Sequence, residues 1–270
     1  MAKEQASLDR AQRRRRLQIL GGVSVAAIIL VVVMVAISAG AGTAPVTPDG
    51  PAAVAAVKHV DSLLAGIPES GSTLGRPMAP VTVTEYGDLE CSVCDEFAAP
   101  TSYTNPEGEA GTGFEDDLIT QYVRTGKVKL IYRSLETASS ENPNANAFAL
   151  QQAAAVAAGM QGKAWYYIEL FYNEQGAEGT GYVTERFLEG IARQIHTLNF
   201  SRWMADRKLA GVKNQVTADN ALGTAVGEKL PQGVSTPTII IQGAKSRPAA
   251  LQSLTSDTWS DLQAAIASAT

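Results

Sequence analysis

Val81-Thr82-Val83-Thr84-Glu85-Tyr86-Gly87-Asp88-Leu89-Glu90-Cys91-Ser92-Val93-Cys94 is the stretch on which the fold turns. Residues 81–86 are rich in β-branched side chains and alternate, which predicts a strand. Gly87–Glu90 reads as a turn, and a helix is expected from near Cys91 through Phe97. A Cys-x-x-Cys therefore opens a helix directly after a strand. The first N–H groups of a helix lack intrahelical partners and carry partial positive charge. A thiolate placed there is stabilised and its pKa falls. Cys91 is expected to be the exposed nucleophile. Cys94, one turn along, is expected to be the buried thiol that closes the ring and releases a mixed disulfide.

The pattern around this stretch alternates between strand and helix. Phe114–Thr125 has helical spacing through Phe114, Leu118, Ile119, Tyr122 and Val123, with Gly126 as its stop. Val128–Leu135 predicts a second strand. Residues 145–228 read as helical, including a helix capped by Thr184 with Phe187, Leu188, Ile191 and Ile195 on one face. Thr238–Gln242 predicts a buried strand, a short strand follows, and residues 256–268 a last helix capped by Ser256. Between them, Thr101–Gly113 is a polar loop. Trp165, Tyr166, Tyr167, Phe171 and Tyr172 read as core packing rather than a ligand site. The order implies an α/β fold with a mixed sheet, interrupted by an inserted helical subdomain at about 143–230.

Of the 270 residues, 45% are hydrophobic, which excludes overall disorder. The net charge of −5 argues against a nucleic-acid partner, which would require a basic face. Charge is unevenly distributed. Residues 1–16 hold six bases and two acids, and residues 17–39 hold no charged residue at all. A helix of that length is roughly 34 Å long, enough to cross a bilayer core. The preceding Arg13–Arg16 block keeps its N-terminus cytoplasmic and sends the rest of the chain outward. The expected organisation is a basic tail (1–16), a transmembrane anchor (17–39), a Pro/Ala-rich linker (40–57) and a domain (58–270). The alternative is a signal peptide cleaved at Ala39-Gly40-Ala41, although the apolar run is long for one. Either way the domain is exported, to a compartment where a disulfide persists.

Two cysteines cannot build a disulfide scaffold or an all-Cys zinc site, and His59 and His196 lack ligand spacing. A copper(I) site on the two thiolates, a purely structural disulfide, or a non-catalytic tethered binding module remains open beside redox chemistry. Val234-Ser235-Thr236-Pro237-Thr238 places a proline immediately before an apolar strand, where it cannot lie within a central ladder. Alone, it reads as an ordinary loop proline.

Leu74–Pro80, the strand–turn–Cys-x-x-Cys stretch, Gln161–Trp165, Glu169–Phe171 and Thr236-Pro237 together resemble the DsbA-like thiol–disulfide oxidoreductases of the thioredoxin fold. The resemblance covers about residues 60–270. It implies that Pro237 is cis, that its loop faces Cys91, and that the Thr236 backbone pairs with a bound substrate peptide as an added strand. It implies formation of disulfides in unfolded or reduced exported proteins, with no cofactor beyond the Cys91–Cys94 disulfide and no metal. It also implies a quinone-linked membrane reoxidant of the DsbB or vitamin K epoxide reductase type. Nothing reads as a dimerisation helix, so a monomer is expected. The Ser92-Val93 dipeptide departs from the family in lacking the His or Pro often found there.

Residues 85–117 contain ten acids and no Lys or Arg. Like charge disfavours a thiolate, so this field is expected to leave the Cys91 pKa only modestly depressed and the disulfide less oxidising. That favours a reductase or isomerase as the rival to an oxidase. Asp88 or Glu90 is expected to lie buried beneath Cys94 as a proton acceptor.

Overall fold

A six-stranded mixed sheet forms the centre of the computed structural model, which describes residues 50–270. The basic tail, the 17–39 span, the Ala39-Gly40-Ala41 site and the first part of the linker lie outside the described residues. Among the described residues no helix is long and apolar enough to cross a membrane.

The sheet is built outward from β3 (Val81–Gly87), whose inward positions Val81, Val83 and Glu85 are fully buried. It runs parallel to β4 (Val128–Ser134), with Val83 opposite Leu130 and Glu85 opposite Tyr132. On its other side it pairs antiparallel with β5 (Thr238–Gly243), which pairs in turn with β6 (Ala249–Leu251). A parallel pair requires a crossover. Here it consists of α2 (Ser92–Ala98), a loop, and α3 (Phe114–Leu118), which continues as a π-helical turn over Ile119–Val123. Gly126 ends that turn with φ +80°.

Two segments differ from expectation. The linker is not extended throughout, because α1 spans Pro51–Leu64. Pro51 occupies a first-turn position that needs no N–H, and the alanines that follow favour helix. Ala53, Ala56, Val60, Leu63 and Leu64 bury one face. The Arg124 guanidinium donates to the C-terminal carbonyls of Leu63 and Ala65 at 2.6 and 2.7 Å. After it, β1 (Glu69–Ser70) and β2 (Thr73–Leu74) form a hairpin that adds to the β4 edge. Gly71 and Gly75, which read as chain breakers, mark its turn and its exit.

The helical subdomain contains α4 (Ala147–Gly159), α5 (Ala164–Asn173), α6 (Glu185–Gln194), α7 (Phe200–Asp206) and α8 (Ala210–Gly227). Thr184 caps α6 through its side chain, as expected. Trp165, Tyr167, Phe171 and Tyr172 are buried in the core. Helix α8 crosses the sheet so closely that a Cβ on Gly223 would meet Tyr86 Cδ1 at 2.9 Å. An Arg133–Asp219 ion pair ties β4 to α8.

The last helix, α9, begins later than expected, at Thr258–Ala269. Ser256 does not cap it. Its hydroxyl bonds to Asp257, while Thr258 Oγ1 accepts from the Thr255 N–H at 2.8 Å. The end of α9 abuts β5, where a Cβ on Gly243 would sit 1.8 Å from the Ala269 carbonyl oxygen. Gly243→Ala is therefore expected to lower stability by about 2 kcal/mol or more, read as a drop in urea midpoint.

Candidate active site

The site lies where β3 ends. Gly87–Glu90 turns the chain, Cys91 occupies the N-cap of α2, and Cys94 lies in its first turn. Two independent segments close over this point. The Thr236–Pro237 peptide is cis, and the Cys91 thiol faces the Thr236 carbonyl oxygen at 3.5 Å. Thr236 Oγ1 also bonds to Thr137 Oγ1. Cys91 is consequently 5% exposed and Cys94 0%, so the expected exposed nucleophile is in fact recessed beneath the proline loop. Ser92 and Val93 are half-buried.

The two thiols are driven apart in acidity. Hydrogen bonding from the Cys94 thiol lowers the Cys91 pKa, against the opposing effect of burial, with further help from Thr236 and the Cys94 N–H. Burial pushes Cys94 well up, and the neighbouring Cys91 and Glu85 push it further. One sulfur is thus set up to carry charge and the other to hold a proton.

The acidic field is weaker than its ten residues suggest. Glu85, Asp88, Glu90, Asp95 and Glu115 are all fully buried. Burial raises Glu85 and Glu90 to about 7 and Asp95 to about 8, and raises Asp88 and Glu115 as well. Glu85, Glu90 and Asp95 therefore hold a large share of their protons near neutrality and repel a thiolate less than free carboxylates would.

Asp88 and Glu90 are both fully buried, and their carboxyls are engaged by hydrogen bonds of their own. Both oxygens of Asp88 are occupied. Oδ2 accepts from the Thr137 and Ser139 N–H groups, each at 2.9 Å, and from the Ser139 hydroxyl. Oδ1 accepts from Glu90 N and Gln151 Nε2, each at 3.1 Å. Glu90 turns toward Asn142 Nδ2 (2.6 Å) and Gly179 N (3.3 Å). Glu85, which sequence reasoning counted only as part of the acidic field, is the carboxyl whose charge would raise the Cys94 pKa. It points inward from β3 beside the buried carboxyls of Glu115 and Glu169, and none of the three has a hydrogen-bond partner outside this cluster. The signal was present in the sequence, because Glu85 continues the inward alternation of Val81 and Val83. Gly87 leaves it room: a Cβ there would meet Tyr172 Oη at 2.9 Å and Glu85 Oε1 at 3.0 Å.

The Thr101–Gly113 loop folds back along α2. Gly113 N donates to Ala99 O and Thr112 Oγ1 to Glu96 O, at 3.0 and 2.8 Å. It reaches the active site through Glu107, which accepts from the Glu178 N–H at 2.8 Å.

A Cys-x-x-Cys at a helix N-cap, facing a cis-proline loop across a mixed sheet, defines a protein of the thioredoxin fold. The chain belongs to the thioredoxin family, whose model matches residues 69–267. Among solved structures, BdbD from Bacillus subtilis is 17% identical with a TM-score of 0.56, covering 74% of this chain and 94% of that one. MdbA from Corynebacterium diphtheriae is 16% identical with a TM-score of 0.50, covering 74% and 93%. A thioredoxin-like oxidoreductase from Silicibacter pomeroyi DSS-3 is 22% identical with a TM-score of 0.50, covering 77% and 95%. At these identities the likeness is one of fold, with the helical subdomain included. No curated protein matches the chain.

Two outcomes follow from the buried acids. Asp88→Asn replaces one acceptor oxygen by a donor facing donors, and is expected to cost about 2–3 kcal/mol of stability in urea unfolding. Glu85 and Glu90 hold protons up to about pH 7 when folded but release them near 4.5 when unfolded. The folded state therefore binds more protons across that window, and stability is lost as pH rises through it. The urea midpoint is expected to fall between pH 5 and pH 8, and Glu85→Gln to flatten the fall.

Proposed function

We propose that this protein is an extracytoplasmic thiol–disulfide oxidoreductase, anchored by residues 17–39, that forms disulfides in exported proteins. One observation carries the reading: the Cys91–Cys94 pair opens α2 beneath the Thr236–Pro237 loop, with the Cys91 sulfur 3.5 Å from the Thr236 carbonyl oxygen. Among the proteins of similar fold, MdbA is described as a thiol-disulfide oxidoreductase, which accords with it.

The cycle starts from the Cys91–Cys94 disulfide. A substrate thiolate attacks Cys91 Sγ, the intramolecular S–S bond breaks, and Cys94 leaves with the electron pair. Glu85, with a pKa of about 7, supplies the proton that Cys94 retains. A second substrate thiolate then attacks the substrate sulfur of the mixed disulfide, and Cys91 leaves as the thiolate that its neighbours stabilise. The substrate loses two electrons and the cysteine pair gains them. Substrates are unfolded or reduced exported chains, whose backbone pairs with Thr236 as an added strand. The electrons pass to a quinone-linked membrane partner of the DsbB or vitamin K epoxide reductase type. The Cys91–Cys94 pair is the only redox group in this scheme, which needs neither metal nor organic cofactor and proceeds in a monomer.

A reductase or isomerase of the same fold is the second reading. It is favoured by the carboxylate of Glu178, which bonds to Ser92 beside the nucleophile. The reduction potential of residues 41–270 in glutathione buffers decides between them. A value well above that of cytoplasmic thioredoxin supports the oxidase, and a value near or below it supports the reductant. Cys91→Ser is expected to reduce disulfide formation in a reduced model substrate to background, whereas Cys94→Ser accumulates mixed disulfides visible on non-reducing gels. Retained exchange in Cys91→Ser would refute the mechanism.

A further inference from the structure

The residue after the nucleophile is held by a carboxylate from the helical subdomain. The Ser92 N–H donates to Glu178 Oε2 at 3.1 Å, and the Ser92 hydroxyl donates to the same oxygen, also at 3.1 Å. Glu178 lies in the connection between α5 and α6. Its own N–H donates to Glu107 Oε1 at 2.8 Å, and the N–H of Gly179 donates to Glu90 Oε1 at 3.3 Å. The backbone carrying this carboxylate is therefore fixed on both sides of the site. Among the described residues no Lys, Arg or His forms an ion pair with Glu178.

We propose that Glu178 sets the redox poise of the pair: its carboxylate, clamped on Ser92, disfavours the Cys91 thiolate and makes the Cys91–Cys94 disulfide less oxidising than it would otherwise be. Two effects act in the same direction. The carboxylate places negative charge one residue from the sulfur. It also engages the Ser92 N–H and hydroxyl, two donors at the edge of the nucleophile. The thiolate keeps the Cys94 thiol, the Cys94 N–H and Thr236. The other acids facing Cys91 are Asp88 and Asp95, and burial raises the pKa of both. Glu178, unlike them, is exposed. Destabilising the thiolate destabilises the reduced state, and so lowers the potential of the disulfide. Glu178 is a positioning residue, because it acts through Ser92 and the local field rather than on substrate.

The inference rests on reading Cys91–Cys94 as a redox pair, but its first test requires no exchange activity. Thiolate absorbance of the reduced protein is followed against pH for the parent, Glu178→Gln and Glu178→Ala, with Cys91→Ser as the baseline. Gln keeps an acceptor oxygen for Ser92 and removes only the charge. In Glu178→Gln the Cys91 titration is expected to move to lower pH, with about a threefold larger thiolate fraction on its acid limb at low salt. The shift should shrink as salt is raised. The equilibrium constant for oxidising glutathione should rise by about the same factor. An unchanged titration in Glu178→Gln overturns the proposal. So does a change confined to Glu178→Ala, which would make the residue a helix cap alone. If the parent fails to equilibrate with glutathione, the oxidoreductase reading falls, and the thiolate titration still judges Glu178.

Discussion

Five hydrogen-bond donors converge on the carboxylate of Asp88, and the active site depends on that convergence. Three come from Thr137 and Ser139 after β4, one from Gln151 on α4, and one from Glu90 in the turn itself. The turn between β3 and α2 has only four residues in which to reverse the chain and present Cys91. Asp88 ties that turn to the segment leading into the helical subdomain. The same segment carries Thr137, whose hydroxyl meets Thr236 in the proline loop. One buried carboxylate thus links the three parts that surround the sulfur: the cysteine turn, the subdomain and the loop before β5.

Burial then shapes the chemistry. The inner face of β3 changes from Val81 and Val83 to Glu85, so the apolar core ends in a proton-binding group whose charge would raise Cys94 further. Burial raises Cys94 and raises Glu85 to about 7, which is the basis of the proton exchange proposed for the pair. Cys91 differs because it gains hydrogen bonds that its partner lacks. The asymmetry arises from position along one helical turn, with identical side chains at both ends.

Much of this was legible in the sequence because it rests on local rules. The β-branched alternation of 81–86, the cysteine spacing, Thr184 at its cap and the apolar run at 238–242 each specify their element without distant partners. The 69–74 hairpin was not legible, since two-residue strands have no periodicity and exist only by pairing with β4. Helix α1 was hidden by Pro51 and a run of alanines, a composition shared by linkers and first turns. At the site, Pro237 was singled out only by the family resemblance, whereas the cysteines announced themselves. The roles of the acids did not, because a carboxylate's function depends on what surrounds it. Asp88 anchors a turn, Glu90 braces the 174–184 connection, Glu85 lies buried with Glu115 and Glu169, and Glu178 lies 86 residues from the serine it holds.

The recessed position of Cys91 has a consequence for which proteins can meet it. A sulfur on the surface of a finished fold is fixed to a broad, rigid contour that cannot descend beneath the Thr236–Pro237 loop. On the proposed function, a cysteine on a pliable chain would be threaded in with its backbone laid along the loop. Access would then be governed by the conformational freedom of the visitor, independent of its sequence, and the geometry itself would end the engagement once folding is complete.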